Sequence, residues 1–124
     1  MTSIDTKADY IVHFDRLMDE PVFGLSQQHK EALLLPTLQA LHRHHQIHSS
    51  DYERIVASDS NSNPKSIRRI NDFPYLAVRL FKQLELTSIN TTDIFKVLRS
   101  SGTTSQNPAT VYLDKETSSR QSKV

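Results

Sequence analysis

The chain has 124 residues and is 36% hydrophobic, so it fits one domain with a modest core and is too short for a large multidomain enzyme. Its 15 Lys and Arg residues nearly balance its 14 Asp and Glu residues, which gives no reason to expect nucleic acid or an anionic membrane as partner. Cysteine is absent, which excludes disulfides, thiolate metal sites and a cysteine nucleophile among these residues. The amino terminus lacks an uninterrupted apolar segment, so we predict no secretory signal, no membrane span and a cytoplasmic location.

Apolar residues at three- and four-residue steps predict a first helix from Lys7 to Asp19. A second helix is predicted from a cap at Ser26 to about His48, because a serine hydroxyl can accept a hydrogen bond from the first turn. Pro36 lies inside this helix, where it removes one backbone donor. We therefore expect a kink at Pro36 rather than two abutting helices.

A third short helix is predicted from Ser50 or Asp51 through Val56, followed by a polar loop over residues 58–66. The segment from Phe73 to Leu86 begins with an approach loop and continues as a short helix. The chain thus starts with a helical region, which we assign to residues 1–66.

The character of the sequence changes in residues 67–124, where β-branched residues become frequent. Asp93–Leu98 and Ala109–Leu113 are predicted as two strands that form a hairpin around a polar loop. Asp114 is expected to cap a final helix that continues to the end of the sequence without an apolar face. We interpret that ending as a sign of truncation and expect the isolated chain to be marginally stable, with unpaired strand edges.

The loop from Ser100 to Pro108 has the composition of a phosphate-binding segment. Small residues let the backbone approach a polyphosphate closely, and hydroxyl groups can donate hydrogen bonds beside the backbone N–H groups. The loop is not a P-loop, because no Lys-Ser or Lys-Thr pair follows the glycine at the required spacing. The predicted nucleotide-binding residues are Ser100, Ser101, Gly102, Thr103, Thr104 and Ser105. On composition alone, an ordinary exposed loop is the competing interpretation.

Three ordered blocks carry a family resemblance: residues 73–82 (FPYLAVRLFK), 100–108 (SSGTTSQNP) and 111–117 (VYLDKET). The middle block resembles the signature loop of the adenylate-forming superfamily. All three together resemble the acyl-protein synthetases, the long-chain-fatty-acid, luciferin-component ligases. Two departures stand out: Ser105 replaces a usual glycine, and Ala109 stands where many relatives have lysine.

The resemblance implies a two-step ligase that uses ATP and Mg²⁺. A fatty acid attacks the α-phosphate of ATP to give an acyl-adenylate, and the acyl group then passes to a cysteine thiol. In the family that cysteine lies downstream, so the resemblance implies the amino-terminal part of an enzyme that is incomplete on its own. It also implies a fatty acid substrate and an acyl-acceptor or reductase protein as partner, and it leaves the catalytic residues unassigned.

Four histidines fall within seven residues of the second predicted helix, at positions 42, 44, 45 and 48. His44 and His48 are four residues apart, a spacing that can present two imidazoles to one metal. We favour a polar helix end near the negative pole of the helix dipole, with His45 and His48 packing against protein, and predict no metal site. Arg79 and Lys82 form a basic pair with either a surface or a substrate-side role.

The sequence therefore predicts a mixed α+β fold in which a helical region precedes the first strands and phosphate loop of an adenylate-forming ligase core. One alternative is an acyl- or aryl-CoA ligase relative, since the loop is shared across that superfamily. The other is a non-enzymatic helical interaction module with a vestigial loop.

Overall fold

The computed structural model describes residues 6–21, 23–58, 67–100 and 108–123. Within these ranges the helices are α1 (Thr6–Met18), α2 (Gln27–His48), α3 (Ser50–Ala57), α4 (Leu80–Gln83) and α5 (Lys115–Gln121). The strands are β1 (Lys96–Arg99) and β2 (Thr110–Leu113), and short 3₁₀ turns span Ile70–Asp72 and Thr91–Asp93. The mixed α+β class is confirmed, while the assignment of the strands to a ligase core stays a prediction.

Helix α2 is the longest element and the one against which α1 packs. Its predicted cap is confirmed, because Ser26 Oγ accepts a hydrogen bond from His29 N at 3.1 Å. Pro36 lies inside α2, which continues through it as one helix rather than two. The kink expected there stays a prediction.

Ser49 ends α2 and begins α3. Its backbone N–H donates to His45 O at 2.9 Å, and its hydroxyl accepts from Tyr52 N at 3.3 Å. One buried serine therefore satisfies backbone groups of two helix ends and fixes the turn between them. The polar loop predicted after α3 lies, from residue 59 to residue 66, outside the described residues.

Strands β1 and β2 pair antiparallel, as the predicted hairpin requires, with Lys96 opposite Leu113 and Arg99 opposite Thr110. The first strand begins later than predicted, because Asp93 N donates to Asn90 O at 2.9 Å in a 3₁₀ turn. Helix α5 begins as predicted, and Asp114 Oδ1 accepts from Thr117 N at 2.8 Å. It ends at Gln121, so the prediction that it continues to the end of the sequence is wrong.

The later part of the chain is tied to the first helices at separate points. Gln39 Nε2 in α2 donates to Ile67 O at 2.9 Å, and Arg120 Nε in α5 lies 3.2 Å from Asp15 Oδ1 in α1. These contacts cross the boundary between the two predicted regions. The division at residue 66 itself stays a prediction.

The interior of the described part is rich in polar side chains. The buried apolar residues are Ala40, Val56 and Ile67, and the buried polar ones are Thr37, His42, His44, Ser49, Asp114 and Ser118. Large apolar side chains lie at the surface instead, with Phe23 86%, Tyr75 87% and Phe95 62% exposed. Polar contacts between elements therefore carry much of the organisation of this fold.

Replacing Ser26 by alanine removes the cap of α2 and is expected to lower the free energy of unfolding by about 1 kcal/mol. Urea denaturation followed by circular dichroism measures this change. Ser26→Asp is the matched control, because an aspartate oxygen accepts the same hydrogen bond and should preserve the stability. Equal stabilities for the alanine and aspartate variants would show that the cap contributes nothing.

Candidate functional site

The hydroxyl-rich loop connects the two strands of the hairpin. Ser100 directly follows β1, and Pro108 and Ala109 directly precede β2. Of the predicted nucleotide-binding residues, Ser100 is described, and those at positions 101–105 lie outside the described residues. Their contact with phosphate stays a prediction.

Two hydrogen bonds close the base of this loop. Ser100 N donates to Ala109 O at 3.0 Å, and Ala109 N donates to Ser100 Oγ at 2.9 Å. The Ser100 hydroxyl oxygen is thus an acceptor toward the protein, while its hydrogen remains a donor. Ala109 thus takes part in closing the loop through its backbone groups.

A groove lies beside the base of the loop, with a volume of about 520 Å³. We call it the loop-base groove; its lining includes Lys82, Glu85, Arg99, Pro108, Thr110 and Tyr112. Lys82 and Arg99 bring two cations to the segment from which the hydroxyl-rich loop emerges. Such cations attract phosphate oxygens, with arginine able to present a planar fork of donors.

Tyr112 forms one wall of the loop-base groove. Partial burial raises the pKa of its phenol, and the hydrogen bond and negative charge of Glu85 raise it further against the opposing effect of Arg99. The phenol therefore stays protonated at neutral pH and keeps a hydrogen to donate.

Two histidines near the end of α2 lie inside the protein rather than at a solvated helix end. His42 and His44 are buried, and His42 Nδ1 lies 2.6 Å from the hydroxyl of Tyr52 in α3. His45 Nδ1 lies 2.7 Å from Ser88 Oγ. We predicted that these histidines form a polar helix end near the negative pole of the helix dipole, and that prediction missed the burial of His42 and His44. The packing expected of His45 is confirmed, whereas the His48 side chain is exposed.

The environment of His45 shifts the pKa of its imidazole. Burial lowers the pKa of its imidazole below the ordinary value of 6.5, and the charges of His42 and His48 lower it further. A neutral imidazole at this position can keep its short contact with Ser88 without a buried positive charge.

Among residues 6–21, 23–58, 67–100 and 108–123, no group of three or more His, Cys, Asp or Glu side chains is arranged to hold a metal ion. No helix in these ranges is both long and apolar enough to cross a bilayer.

A second cavity, also of about 520 Å³, lies between the helices and the hairpin. We call it the central cavity; α1, α2, α3, α5 and β2 all contribute to its wall, together with residues 86–89. Sequence reasoning missed this cavity, because its lining comes from segments far apart in the chain. The stripe through Leu41 and His45 in α2 is the signal that marks one wall.

The fold is that of a mixed α and β protein with a groove at the end of its hairpin, and the lining of that groove includes two cations, Lys82 and Arg99. The chain belongs to the acyl-protein synthetase family, since the sequence model described as "Acyl-protein synthetase, LuxE" matches residues 1–124. Membership places the chain in a family of enzymes and confirms the resemblance at that level. No match is found among curated proteins or among solved structures.

The free energy of unfolding is expected to fall as the pH drops below about 6.5. In that range unfolded His45 binds a proton, whereas the lowered pKa keeps folded His45 neutral, so protonation favours the unfolded chain. Protonation of Asp72 does not contribute to the pH dependence near 6.5. Hydrogen bonds from Arg68 N and Arg69 N hold the pKa of its carboxyl below the ordinary value of 3.8.

Urea denaturation at pH values above and below 6.5 tests this expectation in the wild type and in His45→Gln. The variant should lose part of the pH dependence, while His29→Gln, at the exposed start of α2, should retain it. An identical pH dependence in wild type and His45→Gln would contradict the assignment to His45.

Proposed function

We propose that this chain contributes the nucleotide-phosphate grip of an ATP-dependent acyl-protein synthetase, which activates a fatty acid and transfers it to a protein thiol. The observation that carries the proposal is the loop-base groove, where Lys82 and Arg99 lie beside Pro108, at one end of the hydroxyl-rich segment. Membership in the acyl-protein synthetase family supports it.

In the first step a carboxylate oxygen of the fatty acid attacks the α-phosphorus of ATP. The bond to the pyrophosphate oxygen breaks, so acyl-adenylate and pyrophosphate result. Negative charge develops on the departing pyrophosphate, and donors aimed at that charge lower the barrier. Backbone N–H and hydroxyl groups of the loop, with Lys82 and Arg99 beside it, are the donors we assign to this task.

In the second step a cysteine thiolate attacks the acyl carbon, and AMP leaves with the electron pair of the broken acyl–phosphate bond. The accepting thiol is not among these 124 residues, which contain no cysteine. As the family resemblance implies, we assign the accepting thiol to a cysteine downstream of these residues, with an acyl-acceptor or reductase protein as a further partner. Mg²⁺ bound to ATP neutralises phosphate charge, and we assign none of the described side chains to it.

A non-enzymatic interaction module is the second candidate function. It is favoured by the exposure of Tyr75 and Val78, which stand in the block before α4 that resembles the family, and of Phe95 at the start of the hairpin. Exposed aromatic side chains are common at protein interfaces. An acyl- or aryl-CoA ligase relative would share the phosphate grip and differ in using a thiol of coenzyme A as acceptor.

Gly102→Asp is expected to weaken Mg²⁺-ATP binding by about tenfold or more, because the carboxylate repels phosphate and the added side chain blocks close backbone approach. Thr103→Ala should weaken binding less, through loss of one hydroxyl donor. Isothermal titration of Mg²⁺-ATP into the chain and its variants measures both effects.

Two controls match these changes. Asn90→Asp adds the same charge and Thr92→Ala removes the same hydroxyl at an exposed turn outside the loop, and both should bind as the wild type does. Circular dichroism establishes that every variant folds. A folded wild type without affinity for Mg²⁺-ATP would reject the phosphate grip and favour the interaction module.

A further inference from the structure

The central cavity has the size and lining of a small-molecule site. Its volume of about 520 Å³ falls within the roughly 300–1,000 Å³ typical of such sites. Aliphatic and aromatic side chains dominate the wall, and six of them are Phe14, Leu41, Leu76, Leu86, Ile89 and Leu113. A wall of this kind favours an apolar ligand.

Three polar side chains of the wall, His45, Tyr52 and Ser88, have hydrogen-bond partners within the protein. His45 Nδ1 lies 2.7 Å from Ser88 Oγ, and the hydroxyl of Tyr52 lies 2.6 Å from His42 Nδ1. A ligand therefore need not supply hydrogen bonds to them, whereas a strongly polar ligand would have to break existing ones.

The charged groups at the wall are also engaged. Arg120 Nε pairs with Asp15 Oδ1 at 3.2 Å, and Asp114 Oδ1 accepts from Thr117 N at 2.8 Å. The cavity thus presents no strong excess of either charge, which suits the hydrocarbon part of a ligand better than a charged head group.

The central cavity and the loop-base groove share two wall residues, Phe81 and Tyr112. Strand β2 runs along both, with Thr110 lining the groove and Leu113 lining the cavity. A ligand held in the cavity therefore contacts two side chains that also line the groove at the base of the hydroxyl-rich loop. This adjacency is the arrangement that joining a carboxyl group to a nucleotide phosphate requires.

We propose that the central cavity binds the hydrocarbon chain of the fatty acid, with its carboxyl group directed past Phe81 and Tyr112 toward the loop-base groove. The identity of the ligand rests on the proposed function, whereas the location rests on the geometry. Affinity should increase by up to roughly fourfold for each added methylene until the cavity is full, and then level off.

The test uses the fluorescent probe 11-(dansylamino)undecanoic acid with the 124-residue chain and no nucleotide, followed by displacement with unbranched fatty acids of increasing length. Leu86→Trp fills part of the cavity, so the affinity should level off at a shorter chain and dodecanoic acid should bind about tenfold more weakly. Val111→Trp is the second filling variant, since Val111 lines the cavity but is 38% exposed and tolerates a larger side chain more readily.

Val78→Trp is the matched control, because Val78 is 72% exposed and lies outside the linings of both cavities. It should bind fatty acids as the wild type does. Gly102→Asp should also retain them while losing Mg²⁺-ATP, so failure of the phosphate grip and failure of the cavity assignment give different results. The assignment is overturned if fatty acids do not displace the probe, if folded filling variants keep the wild-type length dependence, or if naphthalene displaces the probe better than any fatty acid.

Discussion

The hydrogen bonds that α2 makes through its own side chains are the constraint on which the rest of the structure depends. Gln39 reaches the backbone at Ile67, His42 reaches Tyr52 in α3, and His45 reaches Ser88. Each bond joins α2 to a different segment of the chain. A partly buried hydrogen bond of this kind is directional, and leaving either partner unsatisfied is costly, so it favours one arrangement of the chain around α2.

That arrangement brings the hairpin against the helices and creates both cavities. Strand β2 separates a groove with cationic side chains from a cavity with apolar ones, and Tyr112 belongs to both walls. A ligase for an amphipathic substrate needs these two environments next to each other, because the reacting carboxyl group and the inert chain have opposite solvation requirements. The two proposals made for this chain therefore depend on the same strand.

Local patterns predicted most elements, because caps and periodicity act within a few residues. The helix caps at Ser26 and Asp114 and the pairing of the hairpin were predicted correctly. The three sequence blocks were sufficient to indicate the family. Burial of His42 was not predictable in this way, since it depends on Tyr52 and on Phe73, whose ring centroid lies 5.9 Å away. The central cavity was missed for the same reason, as its wall exists only after distant segments meet. Binding at Gly102 stays a prediction.

The polar interior also affects how stability depends on temperature. Unfolding raises the heat capacity when apolar surface becomes hydrated and lowers it when polar surface does. Since His42, His44 and Thr37 are buried where many proteins have aliphatic side chains, we expect unfolding of the described part to raise the heat capacity comparatively little. A small heat-capacity change gives a broad and shallow stability curve, so warming and cooling would shift the folding equilibrium less steeply than with an apolar core of equal size.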